Sequence, residues 1–368
     1  MKVVYDHQIF SFQRVGGASR YFQEIITRLG SEAGFEGFLP FRLSDNRHLA
    51  YCPGFRPSAI LGNSPFWGRG RLLASLNRVT SSINLLAGKY DLLHPTYYHP
   101  YFLRLLRGKP FVLTVYDMIH ELFPEQFLNG GDIRPWKKLL VDKAAAIIAI
   151  SDQTKEDIVR LYHVPDRKIH VIHLCDSFSG IKAAASGGEA ASMPFFLFVG
   201  RREGYKNFSF LIRALAPLIR GPHTARLVCV GGGAFSDTEA GWLSGLGIEN
   251  QVAQMEATDA ELASLYSRAV AFIFPSMYEG FGIPILEAFR CGCPVLLSRA
   301  SCFPDIAGDA GLYFDPESAG DLESAARKIL DDASLREGLV LKGRNRLGSY
   351  SWEKAVRQTM QVYETVLG

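Results

Sequence analysis

Short, nearly continuous apolar runs alternate with helical patterns along the whole chain, and this alternation restricts the fold more than any other feature. Parallel strands buried on both faces have such sequences, and they need crossover helices between them. The alternation occurs twice, on either side of a segment of small residues at 179–194. We therefore predict an α/β fold with two doubly wound, Rossmann-like parallel-sheet domains, residues 1–180 and 181–350, that face a central cleft. A last helix, 351–368, is expected to pack back on the first domain.

The predicted elements follow from these runs. In the first half, strands are predicted near 2–6, 36–40, 58–61, 91–94, 110–115, 146–150 and 169–173, and helices near 17–29, 70–87, 133–143 and 152–162. In the second half, strands are predicted at 195–199, 227–230, 271–275 and 294–298, and helices are predicted to begin near Asn207 and Pro284.

Composition excludes several classes of protein. The 40 Lys and Arg residues nearly balance the 37 Asp and Glu residues, so a general nucleic-acid binder is not expected. The six cysteines are too scattered for a disulfide framework or a zinc knuckle and are expected to be reduced, as in a cytoplasmic protein. The first apolar run reaches Asp6 after four residues, which predicts no secretory leader, and no run is long enough to span a bilayer.

Positive charge is concentrated in one stretch of the first half. Between Arg42 and Lys109 there are ten Lys and Arg residues but only two acidic ones, Asp45 and Asp91. Within it, residues 68–78 place Arg71 two helical turns before Arg78, with an apolar stripe of Leu72, Leu73 and Leu76. Such a helix suits contact with an anionic membrane or a lipid-diphosphate acceptor, so the protein could be peripheral on the inner face of the plasma membrane. The alternative is an ordinary amphipathic helix that packs on its own sheet.

The densest motif is residues 278–287, directly after a predicted buried strand. Pro284 suits the first position of a helix, and Gly280 and Gly282 allow a ligand to approach the backbone closely. Amides at a helix start bind anions, so residues 281–284 are expected to bind a diphosphate. Glu287, one turn inside the helix, can accept hydrogen bonds from ribose hydroxyls. The alternative is a plain strand–loop–helix connection with two surface carboxylates, Glu279 and Glu287.

A second motif, residues 198–207, also runs from a strand end into a helix. Arg201 and Lys206 bracket its loop and can neutralise a diphosphate if this strand ends beside the strand before Glu279. Gly16 and Gly17, before the helix at 17–29, are a further candidate for close backbone approach to phosphate. A G-x-G-x-x-G fingerprint is missing, so a dinucleotide-dependent oxidoreductase is not expected.

These residues together resemble glycosyltransferase family 4, whose members have the GT-B fold. The resemblance lies in the Gly16-Gly17 loop, in Arg201 with Lys206, and in Glu279 with Glu287, and it covers essentially the whole chain. Residues 94–98 and 114–120 resemble the members that build bacterial surface polysaccharides. The resemblance implies a retaining transfer of a hexose from a nucleoside-diphosphate sugar, of the GDP-mannose or UDP-glucose type, to a saccharide or lipid-linked saccharide.

The resemblance also implies roles for individual residues. Arg201 and Lys206 would hold the donor diphosphate, Glu287 the ribose and Glu279 the transferred sugar. The amides of Phe281, Gly282 and Ile283, together with Gly17, would face the donor. Many members have a histidine where this chain has Tyr116, so either Tyr116 replaces it or His120 reaches the sugar. Residues expected beside the base are Met255 and Ala257, where the sequence departs from the family pattern.

Two further expectations concern the reaction. No D-x-D triplet occurs, so we expect no metal and no other cofactor, and cationic side chains would neutralise the leaving diphosphate. Two other functions remain open from the residues alone. A sugar-nucleotide epimerase on the same fold would form no acceptor product, and a non-catalytic nucleotide-sugar sensor would keep Arg201, Lys206 and Glu287 but would not need Tyr116 or Glu279.

Overall fold

A computed structural model describes residues 1–32, 34–52, 55, 69–127, 132–178, 180, 193–220 and 225–368. The chain divides into two compact units. Unit 1 contains Met1–Leu174 and Ser351–Gly368, and unit 2 contains Cys175–Tyr350. The division comes before Cys175 and not after residue 180, because the carboxylate of Asp176 pairs with Arg290 of unit 2 at 2.8 Å.

Unit 1 is built on parallel strands with helices between them. Its strands are β1 Lys2–Tyr5, β2 Glu36–Phe38, β3 Leu92–His94, β4 Val112–Val115, β5 Ala146–Ala149 and β6 Ile169–Val171. Its helices are α1 Gln8–Phe12, α2 Gly17–Leu29, α3 Arg69–Ala87, α4 Ile119–Leu122, α5 Arg134–Lys143, α6 Asp152–Tyr162 and α14 Trp352–Leu367. The strand predicted at 58–61 lies outside the described residues.

The strands of unit 1 form two three-stranded sheets, β2-β1-β3 and β4-β5-β6. A parallel bridge between Leu93 and Phe111 joins their neighbouring edges. Strand order therefore reverses between β1 and β3, and the loops after these two strands diverge there. Ligands of open α/β sheets bind at such switch points.

The C-terminal helix α14 belongs to unit 1 and packs on α2. Its buried Tyr363 hydroxyl lies 2.9 Å from the Tyr5 hydroxyl and 2.7 Å from Nδ1 of His94. The other ring nitrogen of His94 is 2.8 Å from the Thr114 hydroxyl. Residues separated by more than 250 positions in the sequence thus share one buried polar network.

Unit 2 repeats the plan with a longer sheet. Its strands are β7 Phe195–Val199, β8 Arg226–Val230, β9 Val252–Met255, β10 Ala271–Phe274, β11 Val295–Ser298 and β12 Gly311–Phe314. Its helices are α7 Phe208–Ile219, α8 Asp237–Leu246, α9 Asp259–Arg268, α10 Ile283–Arg290, α11 Phe303–Ala307, α12 Ala319–Asp331 and α13 Ala333–Leu347.

The sheet of unit 2 is parallel throughout, in the order β12-β11-β10-β7-β8-β9. Strand order reverses between β7 and β10, which pair directly through Ala271 with Phe196 and Phe272 with Leu197. The four strands predicted for the second half of the chain are all present, as β7, β8, β10 and β11. Strands β9 and β12 were not predicted. They are the outermost strands of the sheet and lack the continuous apolar run of a central strand.

Helix termini in both units carry side-chain caps. Ser151 accepts a hydrogen bond from the Thr154 amide and so caps the start of α6. Ser236 with Glu239 and Thr258 with Glu261 form reciprocal capping boxes at the starts of α8 and α9. None of the described helices combines the length and the apolar character needed to cross a bilayer.

Candidate active site

Two loops meet at the switch point of unit 2, after the carboxyl ends of β7 and β10. The first loop carries Arg201 and Lys206, and the second carries Glu279. The amide of Met277 donates a hydrogen bond to the Tyr205 carbonyl at 2.8 Å, which ties the second loop to the first. The prediction that both strands end at one edge of one sheet is therefore confirmed.

Lys206 and Glu279 are in direct contact. The Lys206 ammonium lies 2.6 Å from Oε1 of Glu279, and the two side chains are only 17% and 12% exposed. The ammonium also lies 5.6 Å from the centre of the Phe274 ring. The sequence predicts that Lys206 and Glu279 bind one ligand, but it does not predict that they pair with each other. Each charge therefore neutralises the other.

The two neighbouring arginines of the first loop have different surroundings. Arg201 is exposed and has no ion pair within the described ranges. Arg202 is 6% exposed, and its guanidinium donates to both carboxylate oxygens of Glu239, at 2.7 and 3.3 Å. It also donates to the carbonyls of residues 231–234. Arg202 therefore holds the loop after β8 in place, whereas Arg201 keeps its donors available for a ligand.

Backbone hydrogen bonds fix the position of Glu279. Its amide donates to the Ser301 hydroxyl at 3.2 Å, and the same hydroxyl donates to its carbonyl at 2.8 Å. Ser301 has a φ of 52°, which is uncommon outside glycine and costs free energy. The thiol of Cys302 donates to the carbonyls of Glu279 and Phe281. Neither Ser301 nor Cys302 carries a sequence signal, because these contacts span 21 to 23 positions.

The start of α10 has the form expected of an anion site. Gly282 caps the helix with a φ of 92°, where a Cβ would lie 3.1 Å from the Ile285 side chain, so a larger residue is disfavoured. The helix begins at Ile283, so Pro284 is its second residue and not its first as predicted. Proline still fits there, because amides of the first turn have no partner within the helix.

Glu287 lies one turn inside α10 and is 8% exposed. The hydroxyl of Tyr266, on α9, donates to its carboxylate at 3.5 Å. The acceptor capacity of this carboxylate suits ribose hydroxyls.

Met255 and Ala257 lie at the end of β9, the edge strand next to β8. The Met255 side chain is 39% exposed. Its carbonyl accepts a hydrogen bond from the Gly231 amide at 3.0 Å. Because these strands are parallel, the loops after β7, β8, β9 and β10 all lie at the carboxyl ends of the strands. Within the described residues no three His, Cys, Asp or Glu side chains are grouped so that they could hold a metal ion.

The remaining predicted residues belong to unit 1. Gly16 caps α2 and Gly17 is its first residue. The Gly16 backbone is extended, and a Cβ there would lie 2.4 Å from Oε1 of Gln13, so a larger residue would displace the end of this flexible side chain. That same oxygen accepts a hydrogen bond from the Ser19 amide at 3.2 Å. One amide of the helix start is thus already occupied.

Tyr116 follows β4 and points back into unit 1. Its hydroxyl donates to the Thr96 carbonyl at 3.3 Å, and its ring lies 6.1 Å from that of Tyr21. Burial raises the pKa of Tyr116 well above its usual value, so the hydroxyl stays protonated. Because its proton is engaged by Thr96, Tyr116 is a weaker candidate than His120 for contact with a sugar.

His120 lies on α4 and stacks on Phe127, with the ring centres 4.1 Å apart. Its Nδ1 is buried and has no hydrogen-bond partner in the described part of the chain. Burial and the nearby Lys137 ammonium lower the pKa of His120, so the imidazole is neutral near pH 7. Lys137 is fully buried and pairs with Glu121 at 2.8 Å.

Comparisons with known proteins agree with this geometry. A family model described as Glycosyltransferase Family 4 matches residues 15–175, and one described as Glycosyl transferases group 1 matches residues 182–346. The chain is 28% identical to O-antigen chain mannosyltransferase B of Escherichia coli, over 99% of this chain and 100% of that protein. It is 27% identical to O-antigen chain mannosyltransferase RfbU of Salmonella typhimurium, over 63% of this chain and 64% of that protein.

Solved structures share the fold. Sucrose-phosphate synthase from Thermosynechococcus elongatus has a TM-score of 0.76 at 22% identity and matches 100% of this chain and 99% of its own. Anabaena HepE, in complex with UDP and glucose, has a TM-score of 0.73 at 19% identity and matches 100% and 99%. The predicted fold class, GT-B with two Rossmann-like domains, is confirmed. The two family models together cover nearly all of both units, and the chain belongs to glycosyltransferase family 4.

Proposed function

We propose that this glycosyltransferase moves a hexose from a nucleoside-diphosphate sugar to a saccharide or lipid-linked saccharide during surface polysaccharide synthesis. The observation that carries the proposal is the pairing of Lys206 with Glu279 at the switch point of unit 2. A cation suited to a diphosphate and a carboxylate suited to sugar hydroxyls lie there side by side. Arg201, the start of α10 and Glu287 complete a donor site.

The proposed reaction retains the configuration at the anomeric carbon. The bond from that carbon to the diphosphate oxygen breaks while the bond to the acceptor oxygen forms on the same face. The acceptor proton passes to a phosphate oxygen of the leaving diphosphate. Negative charge grows on the diphosphate in the transition state, so Lys206, Arg201 and the α10 start lower the barrier by stabilising it. Neutral His120 is proposed to contact a sugar hydroxyl.

We further propose that no metal ion takes part. The support is the missing D-x-D triplet together with the cations Arg201 and Lys206 on the loop after β7. Transfer in EDTA should equal transfer in Mg²⁺. Loss of activity in EDTA that Mg²⁺ or Mn²⁺ restores would contradict the proposal.

The donor is proposed to be GDP-mannose or UDP-glucose. Two relatives bear names of mannosyltransferases, which favours the mannose donor. The test measures diphosphate release from each donor with and without an α-mannoside acceptor, and identifies the glycoside product. Lys206→Ala should lose activity, and Lys342→Ala, at an exposed ion pair of unit 2, serves as control. An interconverted sugar nucleotide without a glycoside would indicate an epimerase, and binding without turnover would indicate a sensor.

A membrane contact is proposed for α3, which exposes a row of apolar side chains. Five exposed apolar residues follow one another at helical spacing: Leu72, Leu76, Val79, Ile83 and Leu86, each at least 40% exposed. The buried side of the helix is mixed and contains the apolar Leu73 and Leu85 together with the polar Asn77 and Ser81. Leu73, predicted for the outward stripe, is instead 5% exposed. An ordinary surface helix exposes a polar face instead of such a row of apolar side chains.

The charge on α3 favours an anionic surface as its partner. The helix contains three arginines and no acidic residue, so α3 of a second copy would bring like charges together. Vesicles with phosphatidylglycerol should therefore bind the protein more strongly than neutral vesicles, and salt should weaken binding. The double variant Val79→Glu/Ile83→Glu should abolish flotation with vesicles. The control is Leu341→Glu, at an exposed leucine of unit 2. Equal flotation of both variants would contradict the contact.

A further inference from the structure

The switch point of unit 1, after β1 and β3, contains a buried polar network that the donor site does not use. Asp6 is fully buried, and its Oδ1 accepts hydrogen bonds from the amide and the hydroxyl of Thr96 at 2.9 and 2.8 Å. Its Oδ2 accepts from the Gln8 side-chain amide at 2.8 Å. A buried carboxylate is retained only where its acceptors are satisfied, as they are here. The network fixes the loop after β3.

The Gln8 side chain also holds the backbone of His99 in place. Its side-chain oxygen accepts from the His99 amide at 2.8 Å, and its side-chain nitrogen donates to the His99 carbonyl at 3.1 Å. Two hydrogen bonds from one side chain therefore hold the backbone of a residue 91 positions away. Rigid support of a surface residue by buried partners is typical of binding sites.

His99 is part of a surface that we call the aromatic platform, consisting of His99, Tyr101 and Trp136. The His99 ring lies 4.7 Å from the Trp136 ring and 5.9 Å from the Tyr101 ring. Trp136 is 42% exposed at the start of α5. The exposed Arg78 of α3 places its guanidinium 5.4 Å from the centre of the Tyr101 ring. Trp136 therefore packs against His99 and leaves part of its ring open to solvent.

The hydrogen bonds of His99 define its tautomer. Nδ1 accepts from the Tyr101 amide at 3.1 Å, so Nε2 carries the proton of the neutral ring and is a donor. Burial and the Arg78 charge lower the pKa of His99, which keeps the ring neutral near pH 7. The platform thus combines an aromatic face with the hydrogen-bond donors of His99 and Arg78.

The buried Nε2 of His7, close to the platform, has no hydrogen-bond partner within the described residues, whereas the buried Tyr101 hydroxyl interacts with Ser81 and Asp6. The His7 ring lies 5.6 Å from the Tyr101 ring, and His7 is 4% exposed. Buried polar atoms are nearly always hydrogen-bonded in folded proteins. The Nε2 atom of His7 is therefore available to a hydroxyl of a ligand or to ordered water at this site.

We propose that the aromatic platform binds a neutral pyranose ring of the acceptor saccharide, with one ring face on Trp136 and hydroxyls at His99 and Arg78. The proposal rests on the proposed function, since it names the acceptor-binding residues of that reaction. An apolar face with a few placed polar groups is the usual form of a small-ligand site. Arg78 also belongs to α3, so the platform adjoins the helix proposed to contact the membrane. A lipid-linked saccharide could reach it from that surface.

The test compares Trp136→Ala with Trp242→Ala, because Trp242 is 41% exposed in unit 2 and is a matched control. Binding of two uncharged probes, α-mannotriose and maltotriose, is followed by saturation-transfer NMR without donor. Binding of UDP and GDP is measured by calorimetry. We expect Trp136→Ala to weaken binding of the preferred trisaccharide at least tenfold, while Trp136→Phe retains most of it. Trp242→Ala should bind like the wild type, and nucleoside-diphosphate affinity should change in neither variant.

The outcomes separate this proposal from the proposed function. If the wild-type protein binds a nucleoside diphosphate and hydrolyses a donor but binds neither trisaccharide, the platform is not a saccharide site. Equal trisaccharide affinity of Trp136→Ala and Trp242→Ala overturns it as well. If the wild-type protein binds and hydrolyses no sugar nucleotide, the proposed function fails, and trisaccharide binding that depends on Trp136 would still support the platform.

Discussion

Glu279→Gln should strengthen the binding of a free nucleoside diphosphate. The Glu279 carboxylate contacts the Lys206 ammonium at 2.6 Å, and both side chains are largely shielded from solvent. A diphosphate without its sugar must share or replace this contact, and it gains nothing from Glu279. Glutamine keeps the shape of the side chain but removes the competing negative charge.

The size of the effect follows from the contact that is replaced. A hydrogen bond to a charged group contributes about 1.5–3 kcal/mol. Lys206 has three donors and can bind both partners at once, so the lower end of this range applies. A difference of about 1.4 kcal/mol corresponds to a tenfold lower Kd for the diphosphate. The same substitution should lower the transfer rate, because the carboxylate is proposed to hold the sugar in the transition state.

Calorimetry with UDP and GDP, combined with single-turnover transfer rates, tests both halves of this prediction. Asp309→Asn is the control, since Asp309 also pairs with a lysine, Lys342, at 3.1 Å. Asp309 precedes β12, so it lies at the amino ends of the strands and not at the carboxyl ends, where the candidate site is. The control should leave affinity and rate unchanged. Weaker or unaltered diphosphate binding by Glu279→Gln would show that the ion pair does not compete with the ligand.

Four further outcomes are expected. Arg201→Ala should keep the unfolding midpoint of the wild type and lose about 10²–10³ in transfer rate, as for other lost transition-state donors; an unchanged rate would remove Arg201 from the donor site. Arg202→Ala should instead lower the free energy of unfolding by about 3–5 kcal/mol, measured in urea, because it leaves a buried pair broken. Glu287→Ala should weaken UDP or GDP binding by about 1.5–3 kcal/mol in calorimetry; equal affinity would contradict a ribose contact. Burial lowers the pKa of His94 to about 3, so the unfolded chain binds more protons between about pH 6.5 and that value. The free energy of unfolding should therefore fall as the pH falls from 6.5, by about 1.4 kcal/mol per unit from this residue, and His94→Gln should show a shallower slope in urea denaturation at pH 7, 6 and 5.

The sequence by itself determined the local features of the fold. Central strands such as β7 and β10 were predictable, because parallel strands buried on both faces need continuous apolar residues. The positions of Arg201, Lys206, Glu279 and Glu287 on loops and helix starts followed from the same runs. Residues next to each other along the chain adopt these conformations for local reasons, so a single sequence suffices to predict them.

Only the tertiary structure decided which distant residues meet. Strand order places the loop after β7 beside the loop after β10, and so pairs Lys206 with Glu279 across 73 positions. The tertiary structure also gives two adjacent arginines different roles. Arg202 is buried and pairs with Glu239, whereas Arg201 is exposed.

Packing also decided three further features that the sequence does not predict. Ser301 supports Glu279, α3 exposes a row of apolar side chains, and His99 contacts Trp136. In each case the decisive contact depends on how elements pack. Hydrophobic periodicity fixes which face of an element is apolar, but it carries no information on which neighbour, if any, covers that face.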